Sequence, residues 1–152
     1  MIQDAFDGCG NLTSITIPES VTSIGEATFY NCSSLTSITI GNSVTSIGER
    51  AFYGTSLRSI TIPDSVTSIG DHAFHGCTGL TSIAIGEGAT SIEEGAFYGC
   101  TSLTAVTFLG DVPKAGEEVF KETTPTIYRK PEAKGWGDKF AGRPVKLISE
   151  KP

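Results

Sequence analysis

Few side chains in this 152-residue chain are equipped for chemistry. His72 and His75 are its two histidines, with Asp71 and Cys77 close by. Imidazole, carboxylate and thiol are the ligand types of a zinc site, and imidazole is also a general base near neutral pH. Catalysis needs in addition a distinct nucleophile and a third group that orients the base. Ser and Thr occur throughout, so none stands apart, and the two histidines fall where other stretches hold polar residues such as Glu26 and Tyr30. The cluster reads as variable surface, and no catalytic, metal or cofactor site is expected. The glycines are spread one per turn rather than gathered into a phosphate-binding loop. Asn11-Leu12-Thr13 and Asn31-Cys32-Ser33 match the glycosylation acceptor triplet, a pattern that arises by chance in Ser/Thr-rich sequence.

What positions these groups is an internal repeat. The chain divides into 1–23, 24–46, 47–68, 69–91 and 92–114, with a period of 23 and one deletion in the third block at Thr55. Met1 falls in the column of Ile24, Ile47, Ile69 and Ile92. Leu12, Leu35, Leu57, Leu80 and Leu103 each begin L-x-x-I-x-I, in which two apolar residues alternate with a polar one, the period of a strand with one buried face. A turn of the type P-E-S or G-N-S follows, then a second apolar pair such as Val44/Ile47. A third group, Ala-Phe-x-x-Cys, has the spacing of one helical or 3₁₀ turn. No coil can bury these residues alone, so they must stack as ladders, Ile on Ile and Phe on Phe, with parallel strands forming a sheet along one face. Domain-wise, 1–114 is the repeat array and 115–152 a degenerate sixth coil plus cap, within the same domain.

The block L-T-S-I-T-I-P-x-S-V-T-S-I-G-x-x-A-F-x-x-C resembles the BspA-type leucine-rich repeat over about residues 1–114. The resemblance implies a right-handed, β-rich solenoid of about five coils with one parallel sheet and short helical or 3₁₀ turns. It also implies occurrence in surface proteins of host-associated microbes, hence an extracellular or cell-surface location, and adhesion to host proteins. The tail, with its run G-W-G-x-x-F-x-G-R-P from 135 to 144, resembles the segments that close some relatives. Trp136 is then expected as a plug on the last coil, because a solenoid end exposes its apolar cross-section. The N-terminal coil shows no comparable cap, so self-association is expected there.

Cys9, Cys32, Cys77 and Cys100 share one repeat column. Burial as free thiols is the expected state, and Cys9–Cys32 and Cys77–Cys100 are the only pairs within reach of a bridge.

Composition narrows the partners. The formal net charge of −6 disfavours nucleic acid and anionic lipid. Charge is uneven, −8 over residues 1–110 and +2 over 111–152. No apolar run approaches the ~18–20 residues of a membrane span. The start MIQDAFDGCG lacks a basic region followed by an apolar one, so the chain as written carries no export address.

The exposed positions of L-x-x-I-x-I form a lane of short hydroxyls, Ser14/Thr16, Ser37/Thr39 and Ser59/Thr61, with Arg58 the lone cation beside it. Tyr30, Tyr53, His75 and Tyr98 follow each Phe and line another edge. Aromatic and Arg side chains are the usual anchors of protein interfaces. The candidate protein-binding residues are therefore Tyr30, Tyr53, His75, Tyr98 and Arg58. The function expected is a non-enzymatic protein-interaction or adhesion scaffold. Its rivals are a structural spacer that binds nothing tightly and, more distantly, an ice- or glycan-ordering surface made by the Ser/Thr lane.

Overall fold

The computed structural model describes residues 4–152. The expected place of Met1 in the Ile column lies outside them. Each coil lays down a four-residue strand, turns, and lays down a two-residue strand. The long strands are β1 (Ser14–Ile17), β3 (Ser37–Ile40), β5 (Ser59–Ile62), β7 (Ser82–Ile85), β9 (Ala105–Phe108) and β11 (Thr126–Arg129). The short ones are β2 (Ser23–Ile24), β4 (Ser46–Ile47), β6 (Ser68–Ile69), β8 (Ser91–Ile92) and β10 (Lys114–Ala115). The solenoid is as expected, but where the sequence suggests one parallel sheet the structure has two lanes. The short strands form a continuous parallel ladder from β2 to β10.

The Ala-Phe-x-x-Cys side is a run of turns rather than a helix. Tyr30 N–H donates to Ala27 O (3.1 Å) and Cys32 N–H to Phe29 O (3.1 Å), bonds of 3₁₀ span. Left-handed residues interrupt them: Ala27 (φ 52°) and Asn31 (φ 56°) in one coil, Arg50 (φ 53°) and Gly54 (φ 71°) in the next. This geometry aims alternate amides at the following coil. Ala27, Phe29 and Asn31 N–H donate to Glu49 O, Ala51 O and Tyr53 O at 2.7–2.9 Å, and the pattern recurs in the coils that follow. The third side is thus a backbone ladder too. Among the described residues the one 3₁₀ helix is Ile148–Glu150.

The core between the three sides is a set of columns. Phe6, Phe29, Phe52, Phe74, Phe97 and Phe120 stack with centroids 5.1–5.7 Å apart and nearly parallel planes. The cysteine column is buried beside them except at half-buried Cys9, and all four are free thiols. Cys32 Sγ–H donates to Phe6 O and Cys100 Sγ–H to Phe74 O, each in the preceding coil. Burial pushes the Cys32 thiol up and so holds it protonated.

The long-strand lane is broken once. β1 pairs only with β3, and β5 begins a separate sheet that runs to β11. The break coincides with the short third coil. Arg58 N–H reaches Thr36 O at 3.4 Å, whereas Thr36 N–H, Thr81 N–H and Thr104 N–H meet their carbonyls at 2.9 Å. At the other end of the strand, Gly86 N–H donates to Ile62 O at 2.9 Å. Pro63, which occupies the same turn position in the third coil, has no N–H to offer Ile40 O. The alternation of Pro and Gly at this corner has its own cause: a Cβ on Gly86 would lie 2.6 Å from the Pro63 carbonyl carbon. Acidic side chains close the same corner, as when Asp64 accepts from Glu87 N–H at 2.8 Å. Glu19 and Asp111 likewise accept from the backbone of the following coil, so three of the array's acids serve the fold.

The sixth coil is more complete than the sequence suggests. β11 continues the long-strand lane, and β13 (Arg143–Leu147) adds a further parallel rung, with β12 (Lys139–Phe140) returning antiparallel to it. Trp136 packs 5.0 Å from Phe108 and 5.3 Å from Phe140, and its Nε1–H donates to Gly110 O. The repeat therefore continues through Arg129.

Ile60 is buried (5% exposed) whereas Ile38 is half-buried. Ile60→Asp should abolish cooperative thermal unfolding, while Ile38→Asp should leave a folded protein of lower Tm, since only the former strands a charge in the core. Thiol titration should count one reactive group in the native protein, Cys9, and four after denaturation. A denatured count below four would mean a disulfide.

Candidate functional site

Tyr30, Tyr53, His75 and Tyr98 come together as an outer ladder beside the phenylalanines. Consecutive centroids are 4.8, 4.6 and 4.6 Å apart, with interplanar angles of 20°, 27° and 9°. The spacing follows from the rung-to-rung backbone bonds, which set each ring over the one in the preceding coil. All four residues are half-buried. Lys121, next in the same column, places Nζ 5.7 Å from the Tyr98 ring and also pairs with Glu118 at 3.1 Å. Each inner ring thus has both faces covered, and it is the edges and polar tips that point outward.

Arg58 does not join this group. It is exposed at the start of the hydroxyl lane, where its carbonyl accepts from Thr81 N–H. The cation beside the ladder is Arg50, which with Tyr30, Tyr53, His72 and His75 lines a shallow depression of about 360 Å³. Its guanidinium is held by Glu49 at 2.7 Å. The aligned columns carried a signal for Arg50: it shares a position with Ala27, His72 and Gly95, one rung apart and three residues before the ladder. His72 thus stands in the Ala27 column and not in that of Glu26, which aligns with Asp71. His72 occupies the left-handed position of Arg50 and Ala27, as its φ of 54° and its N–H donation to Glu94 O show. Because every coil has a left-handed residue there, the conformation belongs to the fold.

His72 Nδ1 and His75 Nδ1 approach to 3.1 Å. Desolvation lowers the pKa of His75 from its ordinary 6.5, and the adjacent His72 and then Arg50 act in the same direction. His75 is therefore neutral at physiological pH. Among the described residues no cluster of three or more His, Cys, Asp or Glu is arranged to hold a metal ion.

The hydroxyl lane forms the other candidate surface, a depression of about 630 Å³ that crosses the break between β3 and β5 and is lined by Ser37, Thr39, Ser59 and Thr61. Beneath it the pairing of the long strands lapses between β3 and β5.

A model of the BspA type leucine rich repeat region matches residues 2–126 in six copies. No curated protein sequence matches the chain. Among solved structures, a leucine-rich cell surface protein from Faecalibacterium prausnitzii A2-165 is 31% identical with a TM-score of 0.59, over 83% of this chain and 44% of that one. The pneumococcal vaccine antigen PcpA is 26% identical with a TM-score of 0.72, over 82% of this chain and 33% of its own. The T. pallidum leucine-rich repeat protein TpLRR is 28% identical with a TM-score of 0.61, over 80% and 68%. The chain spans less than half the length of the first two.

Tyr53 stacks on both sides, and each aromatic pair contributes about 0.5–1.5 kcal/mol. Tyr53→Ala should lower stability by about 1–3 kcal/mol on that basis, whereas Tyr53→Phe should be nearly neutral. Chemical denaturation of the two variants checks this, and an equally mild Tyr53→Ala would contradict the ladder.

Proposed function

The chain belongs to the BspA-type leucine-rich repeat family, and from that we propose that it is a non-enzymatic protein-interaction scaffold of a bacterial surface protein. The observation that carries the reading is the outer ladder with Arg50 at its flank, which gathers aromatic edges and a guanidinium on one side of a rigid stack. Tyr and Arg combine large contact area with directional hydrogen bonds, the features of interface anchors. The relatives support the surface location, one being a cell surface protein and another a vaccine antigen. Adhesion to a host extracellular protein is the finer form of this proposal. The ligand meets the phenol hydroxyls and imidazole edge rather than the ring faces, because the faces are taken by stacking.

That same stacking favours a second reading, in which the ladder exists to stiffen a spacer and binds nothing. The two separate cleanly in a variant combining Tyr30→Phe, Tyr53→Phe, Tyr98→Phe and Arg50→Ala, which keeps the rings and removes the outward polar groups. Surface plasmon resonance against immobilised extracellular-matrix proteins should show binding by the native chain and at least about a tenfold loss in the variant, about 1.4 kcal/mol, with unchanged Tm. Absence of binding across the panel, or equal binding by both proteins, would favour the spacer.

A further inference from the structure

We propose that His72 and His75 form a chelating site for one borderline divalent transition ion, Zn²⁺ or Ni²⁺, held by two protein nitrogens with its other positions open to water. The spacing of the two nitrogens is that of a bite. Two nitrogens 3.1 Å apart, each at the ~2.0–2.1 Å of a metal–imidazole bond, subtend about 98° at the ion, between octahedral and tetrahedral values. Without an ion the same approach holds only if one Nδ1–H donates to the other Nδ1. Chelation replaces that bond once the proton sits on Nε2, with no net change in charge.

Both rings are held in place before any ion arrives. His75 is clamped between Tyr53 and Tyr98 at 4.6 Å on each side. His72 lies across the backbone of the next coil at Gly95, where an added Cβ would fall 2.5 Å from His72 Nδ1 and Cε1. Gly95 occupies the place that Arg50 and Ala27 fill in earlier coils, so the space over which the His72 ring lies exists because this one rung lacks a side chain. Arg50, the nearby cation, is engaged by Glu49. Since no third ligand converges among the described residues, the site is an open two-ligand chelate rather than a closed structural one. This inference is independent of the protein-binding reading and survives its failure.

The test is a titration of the metal-free full chain with Zn²⁺ alone near neutral pH, read by nitrogen resonances of the imidazole rings. The chain has two histidines, so the spectrum contains only the proposed ligands. Both Nδ1 resonances should shift together and saturate at one ion per chain. Calorimetry should show His72→Gln and His75→Gln each weakening Zn²⁺ at least about tenfold, the loss that follows even when an outer-shell partner alone is removed. Cys9→Ser, which deletes the accessible thiol, should leave affinity unchanged. Unshifted rings at millimolar Zn²⁺, a shift confined to one histidine, or affinity lost through Cys9→Ser would each overturn the proposal. The ring measurement uses the native chain and so does not depend on any variant folding.

Discussion

The whole structure depends on one constraint: a coil of 22 or 23 residues is too small to enclose its own apolar side chains. Burial is achieved only along the axis, so each residue must find its like in the coil before and after. Backbone bonds on three sides fix the rise between coils, and that rise sets the ring-to-ring distance of about 5 Å in the phenylalanine column. The same rise sets the outer ladder of Tyr and His. The aromatic stripe is thus a consequence of the fold before it is anything else. A scaffold built this way can vary its outer residues without disturbing the inner columns.

The columns were legible because periodicity reports burial directly. Leu35, Ile40 and Phe29 had to face inward, and they do. What periodicity cannot report is how backbone groups are satisfied. The second parallel lane rests on two-residue strands such as Ser46–Ile47, too short to give a strand pattern. The third-side ladder rests on left-handed residues, announced where Gly54 or Gly76 stands but silent at Ala27, Arg50 and His72. The break between β3 and β5 comes from a missing residue near Thr55 and a missing N–H at Pro63, each visible in the sequence but meaningful only when two coils are stacked.

The candidate site was legible in the same partial way. Tyr30, Tyr53, His75 and Tyr98 share a column, and the structure unites them. Arg58 stays at the start of the hydroxyl lane but is not its lone cation, because Lys151 from the C-terminal tail also lines the lane. Arg50 sits three residues before Tyr53 in the turn, a spacing that matters only because left-handed backbone turns both side chains to one side. The approach of His72 to His75 depends on the same geometry and on the absence of a side chain at Gly95 in the neighbouring coil.

The most direct test of stacking by backbone ladders is amide hydrogen exchange along the long-strand lane. Strand alternation turns the Thr61 amide toward β3, across the break, and the equivalent Ala84 amide toward β5, within a paired sheet. The account predicts that Ala84 exchanges only through unfolding of the stack, while Thr61 exchanges markedly faster under native conditions. Exchange at Ala84 as fast as at Thr61 would contradict the account, because the coils would then not be held by their backbone ladders.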